Sequence, residues 1–420
     1  MAIRGRTVVK PSEVPIIRSM RWFAEVNRRV CFHTMLQADA PKLLVKGKQR
    51  GASSKRMPIV SVNDLQKSAG LEVEVDLSHR LTDLPVMGRD MAEGNEEDMT
   101  RSVFSLKIDK TRKGARVGDV IDKQALGGNL SRDAQTELAD YFQRISDERV
   151  LYHFAGARGN YWTPDDLIIP PEPAIGSMQF NRLLVNPLYA PTFDRHFYAG
   201  NADSIDGGAS PITNADVLLP ADLYRLNEQL EESSNTIPHI DLSTDDDPYN
   251  DSPFWMLSVD QKVWSSFAQH ATTKEIQQMR ANAIIRQKGC GHPIFKGAQC
   301  FMWENIMIRV RSIPVRFLPG ATVKVSQDQD DAATVDQTLP ANAGFAVSRS
   351  LLLGGQALAR AYGSVLPGAN FEFWSELYDT GDKERQWIKW VDGCAKIRFE
   401  SKSGRMNDRG VAVIDSAVPL

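Results

Sequence analysis

Residues 71–78, Leu71-Glu72-Val73-Glu74-Val75-Asp76-Leu77-Ser78, alternate apolar and polar side chains without error. A period of two over eight positions predicts a strand with one covered and one wet face. Phe104-Ser105-Leu106-Lys107-Ile108-Asp109 repeats the pattern. Between the two lie Pro85, Gly88 and the charged stretch Glu93-Gly94-Asn95-Glu96-Glu97-Asp98, a connection far longer than a tight hairpin turn. Ordered limbs around a long link favour a two-stranded flap projecting from a body, with a plain mobile loop as the other reading.

The limbs differ in charge. Residues 71–100 carry nine acids against Arg80 and Arg89, net -7, whereas residues 101–117 carry six bases against Asp109, net +5. Opposite limbs pair across the flap, or each meets its complement on a neighbouring subunit.

Downstream, Leu138, Tyr141, Phe142, Ile145 and Tyr152 recur at helical spacing and predict a helix over 131–155. Ser131 suits its N-cap, Asp133 the positive end of the dipole, and Gly156 a left-handed stop. At about 1.5 Å per residue this is a rod of roughly 37 Å, a spine rather than a surface element. His153 near its end reads as a packing or capping residue. Residues 157–200 are rich in proline, glycine and aromatics and predict irregular, packed structure. A short helix fits 221–232. Phe254-Trp255-Met256-Leu257-Ser258-Val259 reads as a buried strand leading into a helix through Trp264, Phe267 and Met279. Further strands fit 306–310, 371–378, 397–399 and 411–414. Strands and helices without regular βαβ alternation make an α+β chain, and no internal repeat is visible.

The composition, 42% hydrophobic and 25% charged in 420 residues, is that of an ordinary globular protein. No stretch approaches about 18 uninterrupted apolar residues, so no membrane helix is expected. Cys31, Cys290, Cys300 and Cys394 lack a disulfide framework and suggest a reducing compartment. The net charge of -3 conceals an asymmetry. Residues 1–60 hold 13 Lys or Arg against Glu13, Glu25 and Asp39, so that segment is +10 and the remainder -13. Such an arm neutralises phosphates or an acidic partner, or is a solvated tail. A transit peptide fits poorly, because Arg21-Trp-Phe-Ala-Glu-Val and Lys42-Leu-Leu-Val read as structured, and no apolar core for a secretory signal is present.

Signals for chemistry are weak. The phosphate-loop, dinucleotide, zinc-hydrolase and nucleophile-elbow signatures are absent. Cys290-Gly291-His292 with Cys300 lacks the paired-knuckle spacing of structural zinc and reads as free cysteines with a loop histidine. Residues 203–251 hold twelve acids against Arg225, including Asp245-Asp246-Asp247, without the spacing of a helix-loop-helix calcium site. Glu96-Glu97 and Glu231-Glu232 sit in charged stretches that argue for solvation rather than a glycosidase pair. Trp303 near Arg309 and Arg311 reads as a core aromatic rather than a base platform. No catalytic residue, metal ligand or cofactor site is assigned.

The order of elements, a basic arm, a charged flap, a long helix and a mixed α/β region, resembles the HK97-like coat proteins of tailed bacteriophages. More closely, the sequence is similar to the phage N-four-type major capsid protein family. The similarity is carried by Leu81-Thr-Asp-Leu-Pro-Val-Met-Gly88, Glu93-Gly-Asn-Glu-Glu97, Phe104-Ser-Leu-Lys-Ile-Asp109, Leu138-Ala-Asp-Tyr-Phe142 and Phe154-Ala-Gly-Ala-Arg-Gly159. It continues in His292-Pro-Ile-Phe-Lys-Gly297 and Leu351-Leu-Leu-Gly-Gly-Gln-Ala-Leu-Ala359, so it spans roughly residues 70–400.

The resemblance implies a domain plan: residues 1–60 an N-terminal arm, 61–118 an extended loop that overlaps an adjacent subunit, and 119–160 a peripheral domain with the spine helix. Residues 161–373 would be mainly axial domain, and 374–420 the return to the peripheral domain. It places Arg89, Glu93, Glu96, Glu97 and Asp98 at inter-subunit contacts, and Arg4, Arg6, Lys10, Arg18, Arg21, Arg28 and Arg29 on an inner, DNA-facing arm. It implies an icosahedral shell of hexamers and pentamers around double-stranded DNA held by nonspecific charge, assembled in the host bacterial cytoplasm without a membrane or cofactor. Portal and scaffolding proteins are the expected partners, with a decoration protein as a further one. Residues 71–100 contain no lysine, so the lysine-to-asparagine crosslinks of some such shells are not expected here. The first 60 residues lack the fused helical scaffold of some relatives, which implies a separate scaffold. Two other readings stay open: a coat-like shell of a cellular compartment, and a cytosolic hydrolase using paired acids.

Overall fold

A computed structural model describes residues 36, 57–62, 71–78, 81, 85–87, 93–94, 96, 98–99, 101–119, 130–232, 236–240, 254–289, 293–295, 300–326, 333–363, 371–381, 383–401 and 404–420. The first strands are β1 (Ile59–Val62), β2 (Glu72–Ser78), β3 (Arg101–Lys107) and β4 (Asp109–Asp119). Helix α1 (Leu130–Ala155), α2 (Ser177–Leu184), β5 (His196–Tyr198) and α3 (Pro220–Glu232) follow. Next come β6 (Trp255–Asp260), α4 (Gln261–His270), α5 (Thr273–Gly289), β7 (Cys300–Trp303), β8 (Ile306–Arg311) and β9 (Arg316–Phe317). The remainder is strand: β10 (Thr322–Ser326), β11 (Thr334–Thr338), β12 (Phe345–Leu353), β13 (Leu358–Tyr362), β14 (Phe371–Tyr378), β15 (Lys383–Lys396), β16 (Arg398–Glu400), β17 (Met406–Asp408) and β18 (Val411–Pro419).

Two sheets organise the chain. A seven-stranded sheet runs β5-β18-β12-β6-β8-β7, with β9 beside β12. Its mixed pairing, antiparallel β12–β18 and parallel β6–β8, matches the α+β expectation. One apolar layer, with Leu226, Phe267 and Met279 from α3, α4 and α5, covers one side; the other side joins the main core around Phe154 of α1. A five-stranded sheet holds β1, β13, β15 and β14, with β4 along the other edge of β15.

Helix α1 follows its sequence signature closely. Its first half is amphipathic, but every residue from Ile145 to Ala155 is buried, so the rod enters the body and links the two sheets. Gly156 ends it at φ +64, where a Cβ would overlap the Tyr189 carbonyl. His153 is fully enclosed and donates from Nε2 to the Leu184 carbonyl (3.2 Å); burial lowers its pKa to about 4. Ser131 differs from the expected N-cap: the helix begins at Leu130, and the Ser131 hydroxyl donates to Glu384 Oε2 at 2.7 Å.

The expected helix through Trp264 and Met279 is two helices. Asp260 caps α4 through the Val263 amide (2.8 Å), and the Thr272–Glu275 pair exchanges hydrogen bonds at the start of α5.

Candidate functional site

Strands β2 and β3 form the flap. They pair antiparallel from Glu72↔Lys107 to Ser78↔Arg101, leaving residues 79–100 as the connection. Glu72 therefore stands opposite Lys107, an opposite-charge pair of the kind the sequence suggested. The returning limb ends sooner than its charge pattern implied. Lys110, Arg112, Lys113 and Arg116 lie on β4, which pairs with β15 from Asp392↔Asp109 to Lys383↔Asp119. The physical reason is a break at Ile108, whose side chain is buried under the flap root while its amide donates to the Leu71 carbonyl (3.0 Å).

The root is fastened by one amide side chain. Asn186 accepts from the Lys107 amide at Oδ1 (3.1 Å) and donates from Nδ2 to the carbonyls of Lys107 (2.9 Å) and Cys394 (3.2 Å). A Cβ at Gly393 would overlap the Lys107 carbonyl, so glycine is what allows the flap to lie this close to β15. Phe104, Leu106 and Ile108 pack onto Ala359, Ala361, Ala395, Ile397 and Phe399, with the Phe104 and Phe399 rings edge to face at 6.4 Å. Beyond this footing the described residues of the connection are exposed. Leu81 is 65% exposed, Met87 71% and Met99 60%, beside exposed Glu93, Glu96 and Asp98. Arg89, Glu97 and the basic positions Arg4, Arg6, Lys10, Arg18, Arg21, Arg28 and Arg29 lie outside the described residues.

Within the body, buried ion pairs join the elements. Asp392 on β15 accepts from Arg149 of α1 (3.0 Å) and Arg360 of β13 (3.0 Å). Asp408 holds Lys396 (2.6 Å) and Arg398 (2.7 Å). Burial alone raises the Asp415 carboxyl pKa, but bidentate Arg349 (2.8 and 2.7 Å) and His196 Nε2 (2.7 Å) outweigh it and hold it well below the carboxylate range. Arg349 also donates to the Ala155 carbonyl at the end of α1 (3.0 Å). Burial outweighs the Asp415 charge at His196 and keeps that imidazole neutral, so its Nε2 carries the proton given to the carboxylate. These links fix geometry; they are enclosed rather than open to a substrate. Sequence reasoning missed them because partners such as Arg149 and Asp392 meet only through the tertiary fold.

The weaker chemical signals resolve into structure. Trp303 is buried edge to face against Tyr224 (5.2 Å), Arg309 donates to the Ile294 carbonyl (2.6 Å), and Arg311 is enclosed. Cys300 is buried, which raises its thiol pKa; Cys290 and His292 lie outside the described residues. In the acidic region Asp203, Asp216 and Asp222 accept from backbone amides at turns and at the start of α3, while Asp245, Asp246 and Asp247 lie outside the described residues. Glu231 and Glu232 are exposed at the end of α3. Among the described residues no three His, Cys, Asp or Glu side chains cluster for a metal, and no helix is long and apolar enough to cross a membrane.

The described residues form a mixed α+β body whose flap connection exposes Leu81, Met87 and Met99 beside Glu93, Glu96 and Asp98. Among known families, residues 9–420 match the phage capsid protein family. The chain belongs to that family and is a major capsid protein of the phage head shell. No curated protein matches. Among solved structures, the capsid of Ralstonia phage GP4 is similar at TM-score 0.73 and 21% identity, covering 99% of both chains. The cyanophage Pam1 capsid has TM-score 0.62 and 14% identity, covering 98% of this chain and 99% of that one. The acid-stable capsid of Helicobacter pylori bacteriophage KHP30 has TM-score 0.55 and 11% identity, covering 99% and 100%.

Proposed function

We propose that this capsid protein builds an icosahedral shell of hexamers and pentamers around double-stranded DNA, on the HK97-like plan. The observation that carries the reading is the flap: a root fixed by Asn186 and a buried apolar footing, and a connection in which Leu81, Met87 and Met99 are exposed. In this plan the flap overlaps an adjacent subunit, α1 is the spine of the peripheral domain, and β14 to β18 return to it. The region around α3 to α5 lies mainly in the axial domain. Many copies place such contacts in parallel, so individually modest interfaces sum to a stable particle.

The +10 arm faces the packaged DNA and binds it by charge alone, so that contact weakens as salt rises. A separate scaffold, a portal and a decoration protein complete the particle, which assembles in the host bacterial cytoplasm. The family match favours this reading over a cellular compartment shell or a hydrolase. Negative-stain microscopy of the chain expressed with its scaffold tests it: closed particles are expected, and persistently monomeric protein would refute it.

A further inference from the structure

The seven-stranded sheet ends at β5, and the free side of that strand opens into a groove of about 1260 Å³. On its other side β5 pairs parallel with β18, from Val413↔His196 to Asp415↔Tyr198, and the Ala199 amide continues the ladder to the Asp415 carbonyl (3.0 Å). Main-chain groups of a strand point alternately to its two sides, so those of Phe197 face β18 and those of His196 and Tyr198 face the groove. The His196 amide is engaged by the Phe193 carbonyl, and the Tyr198 carbonyl accepts from Arg225 Nη2 (2.9 Å). The His196 carbonyl and the Tyr198 amide have no partner among the described residues. In a parallel ladder such a pair of groups is satisfied by a single residue of the incoming strand, the one opposite Phe197.

The groove is shaped for a strand. Phe197 packs into the apolar layer that holds Leu230 of α3, whereas Tyr198 packs against the main core, which holds Val325 of β10. The edge of β5 is therefore a floor between two walls, α3 on one side and the β10–β11 pair on the other. Its volume exceeds the roughly 300–1,000 Å³ of a small-molecule pocket, which argues for a peptide. The arginines along it are already engaged: Arg225 with the Gly200 carbonyl (2.8 Å) and Asp222 (3.0 Å), and Arg195 with the Asp408 carbonyl (3.1 Å). Glu228 and Glu232 on the α3 wall are exposed, with no cation partner among the described residues.

We propose that β5 is a strand-addition site for an extended basic segment of a partner chain other than the coat protein itself. Main-chain hydrogen bonds to His196 and Tyr198 give the affinity, and alternate side chains give the selectivity. The residue opposite Phe197 is apolar, because directly paired residues share a face, here the one Leu230 occupies. Lys or Arg two positions away lies on that same face and meets Glu228 and Glu232. The coat's own flap connection is the wrong occupant, since residues 71–100 carry net -7 and these glutamates repel it.

The test adds a peptide with the core Lys-Thr-Val-Thr-Lys to the full-length dissociated subunit. At about 1 mM peptide, hydrogen exchange at the Tyr198 amide slows, and the affinity weakens as salt rises. Proline in place of the central valine removes the N–H given to the His196 carbonyl and abolishes binding. Glu228→Lys with Glu232→Lys, both on the exposed face of α3, weakens the basic peptide about tenfold and admits its Glu-Thr-Val-Thr-Glu counterpart. Unchanged exchange at Tyr198, equal binding of the proline peptide, or indifference to the charge swap would overturn the proposal. So would a Tyr198 amide already slow before peptide is added, which would show the groove filled by the chain itself.

Discussion

Replacing Asp415 by asparagine leaves the Arg349 guanidinium, fully enclosed, without its countercharge. In the native chain that carboxylate accepts two hydrogen bonds from Arg349 and one from His196, with neither Arg349 nor Asp415 exposed. Breaking one side of such a buried pair costs about 3–5 kcal/mol, because the surviving charge keeps its desolvation penalty and loses its partner. A 420-residue chain unfolds with an entropy of about 0.9 kcal/mol/K, so the midpoint should fall by about 3–6 °C. Calorimetry of the dissociated subunit reads this directly. The double variant Arg349→Met with Asp415→Leu removes both charges and should recover most of the loss, since apolar replacement of a whole buried pair is commonly near neutral. An Asp415→Asn loss under about 1 kcal/mol, or a double variant less stable than the single one, would refute the reasoning.

Asn186→Leu removes the hydrogen bonds at the flap root, at about 1 kcal/mol each. Proteolysis within 79–100 and hydrogen exchange at Lys107 and Ile108 should speed up while the global midpoint moves little. Gly393→Val drives a side chain into the Lys107 carbonyl and should lift the whole root, seen as exposure of Phe104 by exchange. His153 is neutral in the fold with a pKa lowered to about 4, whereas the unfolded chain binds a proton near 6.5. Stability should therefore fall as pH drops from about 6.5 toward 4, by on the order of 2–3 kcal/mol. In denaturant titrations at pH 7 and 4.5, His153→Gln should show a shallower dependence. Particles boiled under reducing conditions should run as single chains, because residues 71–100 offer no lysine for a crosslink; covalent ladders on denaturing gels would contradict this.

The flap and α1 were legible because their side chains obey local periods. Alternation over 71–78 gives β2, and helical recurrence with Gly156 as the stop gives α1. The extent of the returning limb was not, because β3 and β4 have one continuous charge pattern and separate only where Ile108 turns inward. Strand β12 was hidden by burial on both faces: with Ser348, Arg349 and Ser350 all enclosed, polarity no longer marks the wet side. The ion pairs that hold the elements were equally invisible, since Arg349 finds Asp415 66 residues away across β12 and β18. The order of motifs nonetheless pointed to the family, because stretches such as 81–88 and 93–97 can be read in sequence order, whereas the buried pairs join residues far apart in the chain.

Whether the flap joins subunits is decided in the assembled particle. A near-atomic electron cryomicroscopy reconstruction of assembled particles measures this directly. It should show density for residues 79–100 lying on an adjacent subunit, with the root still held by Asn186. A flap folded back onto its own subunit in closed shells would contradict the account.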